Sequence, residues 1–366
     1  MIRILHGADL HLDSPFQGLD RDRAIARRAE QREILRRMAA LAVERQVDAV
    51  LLAGDLFDSQ GAYPETARLL GEVLSGLPMP VFIAPGNHDR YSPRSAWDGI
   101  AFGENVHIFK DGAISCVALE DLGLRVWGTA FTDRYRTPPL AGFEAPAGGD
   151  MLDVMVLHGE VGNPASNYGA ISREDIARSG MDYVALGHVH AASGLCKAGE
   201  TFYAWPGCPE GRGFDELGEK GVYVLELEKG ACRCEFVPLG GRRYEIVEVD
   251  ITNETDISAA VERALPADTG RDLYRIRLTG ETDAAPDMAA LSRMLEGRFY
   301  VLELRDETAI RRDIWAGRSG DSLKGLFLSR LYGMLESAAD DEERERITQA
   351  VRWGLRAMEK GEELPL

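Results

Sequence analysis

Short apolar runs of strand length recur from Ile2 onward, each stopped by glycine, proline or a polar cluster: IRIL, AVLLA, VFIA, VHIF, AISCVAL, LRVWGTAF, VMVL, YVAL, TFYAW, GVYVLEL and CRCEFVPL. Such runs predict strands. Between the earliest of them the apolar positions change to helical spacing. This predicts one helix ending near Arg45, one over Pro64 to Ser75, and one over 172–178 opened by the capping sequence SRED. Early strands alternate with helices and later ones form hairpins, so residues 1–240 read as an α/β domain of packed mixed sheets with helices outside.

Proline and glycine in PLGGRRYE mark a boundary near residue 240. Beyond it, YEIVEVDI, LYRIRLTG and FYVLELRD alternate with helical patterns over 256–264 and 287–295, a β-α-β-α-β unit over 241–315. From Ser322 the apolar residues at 323, 326, 327, 331, 334 and 335 keep the helical rhythm, and a second helix follows DDEERE. Residues 316–366 are therefore expected to be a helical pair.

Composition narrows the class. With 366 residues, 45% of them apolar, the chain is long enough for a main domain and a smaller one. The apolar runs fall far short of the roughly 20 residues that span a bilayer. The start MIRILHGADLHLD is interrupted by His6 and Asp9, so no cleavable leader is expected and the protein is assigned to the cytoplasm, without a membrane. Five cysteines without a C-x-x-C pair read as reduced core residues. The net charge of −18 speaks against a polyanionic partner, although bound divalent cations add positive charge that this count omits. Arginines 21, 23, 27, 28, 32, 36 and 37 cluster on the first long helix, either as a phosphate-tracking patch or as a solvated, ion-paired face.

The chemistry lies at the strand ends. Five of the seven histidines fall in polar clusters that each follow an apolar run: GADLHLD, AGDLFD, PGNHD, LHGE and LGHVH. In a layered α/β domain residues just past the strand ends converge on one crevice, so these clusters predict one pocket. Imidazole, carboxylate and one amide suit Mn²⁺, Fe or Zn²⁺ better than Ca²⁺. Asp9, His11, Asp55, Asn87, His158, His188 and His190 are too many ligands for one ion, whereas two ions about 3.5–4 Å apart can share a carboxylate, with Asp55 the natural bridge. Asp9/His11 and His188/His190 are i, i+2 pairs, which in extended chain point to one side. His88, beside Asn87, points elsewhere and is free for proton donation. His6 and His107 fall outside the set and read as structural histidines.

The ordered motifs D-x-H, G-D-x-x-D, G-N-H-D, H-G and G-H-x-H resemble the calcineurin-like metallophosphoesterase superfamily. ADLHLDSPF and PGCPEGRGFDELGEKGVYVLELE are similar to its SbcD/YhaO-type DNA repair exonuclease branch. The resemblance covers roughly residues 1–240 and implies a four-layer α-β-β-α sandwich with a smaller α/β capping domain and C-terminal helices. It also implies that Asp9, His11, Asp55 and His190 hold one Mn²⁺ and that Asp55, Asn87, His158 and His188 hold the other. It makes His88 the group that protonates a leaving 3′-oxygen and Asp89 the residue that orients it. The implied activity is Mn²⁺-dependent 3′→5′ exonuclease action on DNA, with endonuclease action on single strands as a further mode. The implied partner is an SMC-like ABC ATPase of SbcC type, gripped by the C-terminal helices, with a homodimer as one arrangement. Asp58 departs from the archaeal and eukaryotic pattern, which has a second histidine after GDLF; here it either caps a helix or supports His11. Arg212 either grips phosphate or forms a structural ion pair, and SNYGA after His158 is a substrate wall or a surface turn. Arg242, Arg243, Arg275, Arg277, Arg311 and Arg312 are available to the capping unit. A small-molecule phosphodiesterase or phosphatase on the same dimetal centre, and a non-catalytic scaffold with this fold, remain as alternatives.

Overall fold

The structure is a computed structural model that describes every residue except 94, 147–148, 283–284, 311–313, 316–317, 321 and 361–366, so Arg311 and Arg312 lie outside the described residues. Up to Pro238 the elements are β1 (Ile2–Gly7), α1 (Arg21–Glu44), β2 (Ala49–Leu52), α2 (Pro64–Ser75), β3 (Val81–Ile83), β4 (Val106–Ile108), β5 (Ser115–Leu119), β6 (Leu124–Gly128), β7 (Leu152–His158), β8 (Glu160–Val161), β9 (Ala170–Ile171), α3 (Arg173–Arg178), β10 (Tyr183–Gly187), β11 (Cys196–Ala198), β12 (Thr201–Ala204), β13 (Gly221–Glu228) and β14 (Ala231–Pro238). They are followed by β15 (Tyr244–Asp250), α4 (Ile257–Ala264), β16 (Leu273–Thr279), β17 (Glu281–Thr282), α5 (Met288–Met294), β18 (Val301–Asp306), β19 (Ala309–Ile310), α6 (Leu323–Glu336) and α7 (Asp341–Lys360).

Two six-stranded mixed sheets form the framework, in the orders β14-β13-β1-β2-β3-β4 and β11-β12-β10-β7-β6-β5. Their inner faces share one core, where Ile4, Leu51, Phe82 and Leu225 meet Val126, Val154, Val156 and Tyr183. Strands buried on both faces need apolar residues at successive positions, which is why AVLL and YVALG read as unbroken runs. The outer face of the first sheet is covered by α1 and α2, with Ile34, Leu35, Met38, Leu70 and Leu74 packed on Leu5, Val50, Leu52 and Val81. On the far side Ile176 of α3 joins Leu140, Met155, Val184 and Leu186. The result is an α-β-β-α layering whose fourth layer is thin.

The arginines of α1 resolve toward the ion-paired reading. Arg23 pairs with Asp20, Arg32 with Asp13 and Glu65, and Arg36 and Arg37 with Glu33. Arg27 is fully buried between Glu30 and Glu210, a placement its helical position alone does not announce.

Compact packing divides the chain into two units, one formed by Met1–Ile246 with Asp268–Arg275 and Gly297–Leu302, the other by Val247–Ala267, Ile276–Glu296 and Glu303–Leu366. Strands β15, β16 and β18 form a three-stranded sheet in that order. Within the second unit α6 packs on α7, with Phe327 against Gly354, and Arg277 is engaged by Glu248 and Glu307. In the first unit Arg242 pairs with Glu30, Arg243 with Asp272, and Arg275 lies over the Phe214 ring. No helix among the described residues is long and apolar enough to cross a membrane.

Candidate metal centre

The parallel strands β1, β2 and β3 of one sheet, and β7 and β10 of the other, end on one edge, and every predicted ligand lies at or just beyond an end. The backbone then turns in a way the i, i+2 spacing does not foretell. Asp9, His11, Asp55 and His188 have φ of 53°, 44°, 51° and 99°, so these pairs converge through left-handed turns rather than through alternation along an extended chain. Such conformations cost about 1–3 kcal/mol each and persist where the surroundings over-determine them. Here Asp9 N–H donates to the Gly54 carbonyl at 3.0 Å and His11 N–H to the Asp55 carbonyl at 2.9 Å. The His188 N–H donates to the Asp9 carboxylate at 3.0 Å, and the His88 N–H to Asp55 Oδ1 at 2.9 Å. The glycines of AGD and PGN make room for this weave. A methyl group on Gly54 would collide with His158 Nδ1, and one on Gly86 with the Asp55 carboxylate.

Six of the seven expected ligands come close together. His11 Nε2 and His190 Nε2 face each other at 3.2 Å, with Asp9 Oδ1 3.9 Å from His190 Nε2. His158 Nε2 lies 3.0 Å from Asn87 Oδ1 and 3.3 Å from Asp55 Oδ2, while Asp55 Oδ2 is also 3.8 Å from His11 Nε2. Asp9, His11 and His190 form one compact group of donors, Asp9, Asp55 and His158 another, and His11, Asp58 and His88 a third. His188 stands apart. Its imidazole centre is 5.2 Å from that of His158 and 5.3 Å from the Tyr168 ring, which brings Tyr168 of SNYGA beside the site.

The partners of the far ring nitrogens show that this set fits cations. His158 Nδ1 lies 2.9 Å from the Ala53 carbonyl, which requires N–H at Nδ1, and His190 Nδ1 lies between Glu216 Oε1 at 2.7 Å and Arg212 Nη2 at 3.0 Å. In the neutral His158 ring Nε2 then presents a lone pair, facing an amide oxygen and a carboxylate. Converging acceptors of this kind are satisfied by a metal ion. Without one the charges are strained: burial drives Asp9 up to about 6, and burial lowers His11 to about 4. Burial also opposes charge on His158, but the Asp55 and Asp9 carboxylates prevail and raise it to about 9.

His88 sits at the exposed mouth, its ring edge-on to His11 at 4.9 Å between centres. Its Nδ1 is 2.8 Å from the Asp58 carbonyl oxygen. Asp89 does not perform the orienting task expected of it. Its buried carboxylate accepts the N–H groups of Gly86 and Leu56, both at 2.7 Å, and of Phe57 at 3.3 Å, tying the third motif to the second. Burial, then the Asp55 charge, pushes Asp89 up to about 7.

Asp58 does not cap α2. Asp13 receives the N–H of Tyr63 at that helix start, at 2.8 Å, whereas Asp58 Oδ1 lies 3.3 Å from His11 Nδ1 and 3.0 Å from Arg212. Arg212 is thus in an ion pair, as the bland alternative had it. Sequence reasoning missed Glu216, whose only signal was its place four residues after Arg212. His6 is the buried structural histidine expected, set between Tyr183 Oη at 2.9 Å and the Leu186 carbonyl at 3.1 Å.

Comparison with known proteins accords with this geometry. Residues 2–192 match the family described as calcineurin-like phosphoesterase. The chain is similar to the uncharacterized metallophosphoesterase YhaO of Bacillus subtilis, 30% identical over 70% of this chain and 65% of that protein, so the match spans less than two thirds of that relative. It is also 24% identical to the SbcD component of the SbcCD nuclease of Bacillus subtilis, over 63% of this chain and 67% of that one. A third similarity, 29% identity over 72% of this chain and 68% of the other, is to the DNA double-strand break repair protein Mre11 of Aeropyrum pernix.

Proposed function

We propose, from the premise that the chain belongs to the calcineurin-like phosphoesterase family and is a metal-dependent phosphoesterase, that it is a DNA nuclease of repair, a 3′→5′ exonuclease with further action on single strands. The observation that carries this reading is the convergence of His11 and His190 Nε2, at 3.2 Å, with His158, Asn87 and the two aspartates at one strand edge. In it Asp9, His11, Asp55 and His190 hold one Mn²⁺, and Asp55, Asn87, His158 and His188 hold the second. When bound, such ions activate water and neutralise the charge that develops on phosphoryl oxygens. The chain's own groups supply the remainder. His88 keeps its Nδ1 proton on the Asp58 carbonyl, which leaves Nε2 to give a proton to the leaving 3′-oxygen and return to a neutral ring. Tyr168 walls the substrate beside His188.

In the same reading residues 1–240 are the nuclease domain, 241–315 a cap over DNA and 316–366 the segment that engages an SMC-like ATPase in the cytoplasm. Support for the last comes from Leu323, Leu326, Met334, Trp353 and Met358, which are exposed on α6 and α7. A second reading, a small-molecule phosphodiesterase, is favoured by the net charge of −18 and by the engagement of the α1 arginines in ion pairs. One assay separates the two. With Mn²⁺, the nuclease reading expects mononucleotides from linear DNA; hydrolysis confined to cyclic nucleotides or p-nitrophenyl phosphate establishes the second reading instead.

A further inference from the structure

A single guanidinium connects two of the metal-facing histidines from behind. Arg212 Nη1 donates to Asp58 Oδ1 at 3.0 Å and Nη2 to Glu216 Oε1 at 2.6 Å. Asp58 Oδ1 lies 3.3 Å from His11 Nδ1, and Glu216 Oε1 lies 2.7 Å from His190 Nδ1. His190 is thus held at Nδ1 by Glu216, while Asp58 lies beside His11 Nδ1 without a hydrogen bond to it; the two carboxylates share one arginine, and the histidine Nε2 atoms meet at 3.2 Å. Ser14 Oγ fixes Asp58 Oδ1 from another side at 2.9 Å.

The segment that carries Arg212 is itself pinned. Buried Arg27 of α1 engages Glu210 and donates to the Gly211 carbonyl at 2.9 Å. The Arg212 N–H donates to Glu216 Oε2 at 2.8 Å, and Lys220 Nζ reaches the His190 carbonyl at 3.2 Å. The path from α1 to His190 is therefore restrained by charged or backbone hydrogen bonds at each step, and the branch to His11 ends in the 3.3 Å approach of Asp58. A planar fork presents its donors to two carboxylates in fixed directions, whereas the three donors of an ammonium rotate about a single compact charge.

We propose that Arg212 is the positioning residue for one half of the metal centre, setting His11 and His190 for one of the two ions through Asp58 and Glu216. Among the described residues, Asn87 and His158 of the other ion's set have no hydrogen bond to this bridge; His158 is held by the Ala53 carbonyl at 2.9 Å. The proposal rests on the reading that the site binds two divalent ions, and it adds that their affinities depend unequally on a residue that touches neither.

The test is Mn²⁺ titration calorimetry on metal-free protein, wild type, Arg212→Ala and Arg212→Lys, with thermal unfolding of each metal-free variant alongside. Wild type is expected to bind two ions. In Arg212→Ala one ion weakens by about 10–100-fold, the range for lost outer partners of metal ligands, while the other keeps its affinity. Arg212→Lys falls between, since lysine keeps the charge without the fixed fork that spans both carboxylates. Two ions bound by Arg212→Ala with wild-type affinities overturn the proposal alone, and so does equal weakening of both ions. Wild type that binds no Mn²⁺ overturns the metal-centre reading and this proposal with it. Should Arg212→Ala fail to fold, Arg212→Lys decides by the same criterion, an unequal loss supporting the proposal and unchanged or equal affinities overturning it.

Discussion

At the level of single residues, the site in the proposed reading separates groups that face inward to hold cations from one, His88, that faces outward to move a proton. His88 has its Nδ1 on the Asp58 carbonyl and its ring at the mouth, and in the proposed reading it supplies the acid and is none of the seven expected ligands. We expect His88→Ala to keep both Mn²⁺ ions by calorimetry and to lose about 10²–10⁴-fold in DNA cleavage, the range for a positioned acid. Full cleavage by this variant would show that the leaving oxygen takes its proton elsewhere. His6 is a different case, a buried imidazole whose burial lowers its pKa to about 3 against an ordinary 6.5. The unfolded chain then binds the extra proton between pH 6.5 and about 3, so this group costs stability as pH falls through that window. The slope approaches about 1.4 kcal/mol per pH unit. His6→Gln can keep bonds to Tyr183 and Leu186 without titrating. Urea unfolding of metal-free protein at pH 7 and pH 5 should therefore show a smaller acid loss for the variant, and an equal loss would place the sensitivity in other histidines.

At the level of elements, the legible parts are those whose cause is local. Strands β1, β2, β3, β7 and β10 are visible because burial on both faces demands consecutive apolar residues, and α2 is visible from Pro64 and its amphipathic spacing. The two-residue strands β8 and β9 carry no such period; they exist because Glu160 and Val161 pair with Ala170 and Ile171 across a loop. The candidate ligands and their meeting in one pocket were legible from type, order and place at strand ends, but the backbone route was not, since left-handed turns at Asp9, His11 and Asp55 depend on carbonyls from other segments. Asp89 and Glu216 were misjudged or missed for the same reason: their partners are distant backbone or an arginine whose direction only the folded loop sets. Arg27 shows the principle in α1, where a residue in a run of exposed arginines is fully buried because Glu210 comes to meet it. We expect Arg27→Ala to cost about 3–5 kcal/mol in urea unfolding, since it leaves a buried carboxylate without its cation. A loss below about 1 kcal/mol, the scale of an exposed pair, would mean that Glu210 finds water instead.

At the level of the whole molecule, a net charge of −18 has to be reconciled, in the proposed nuclease reading, with a polyanionic substrate. Long-range attraction cannot supply the encounter, because the arginines that cluster along α1 are largely neutralised by acids of the same unit. Positive potential toward a phosphate then has to come from the centre itself, where two divalent ions would add four charges at one strand edge. This makes metal a binding element as well as a chemical one. Using His88→Ala to suppress cleavage, we expect fluorescence anisotropy at fixed ionic strength to show single-stranded DNA bound about tenfold or more tightly with Mn²⁺ than with chelator. The salt dependence should be shallow. Each phosphate neutralised by a protein cation contributes a slope of about −0.7 on a logarithmic scale for single strands, so two or three such contacts give roughly −2. Binding unchanged by chelator, with a slope of roughly −4 or steeper, would mean that a basic surface remote from the metal centre carries the DNA, and the acidic balance of the chain would then conceal a far more polarised molecule.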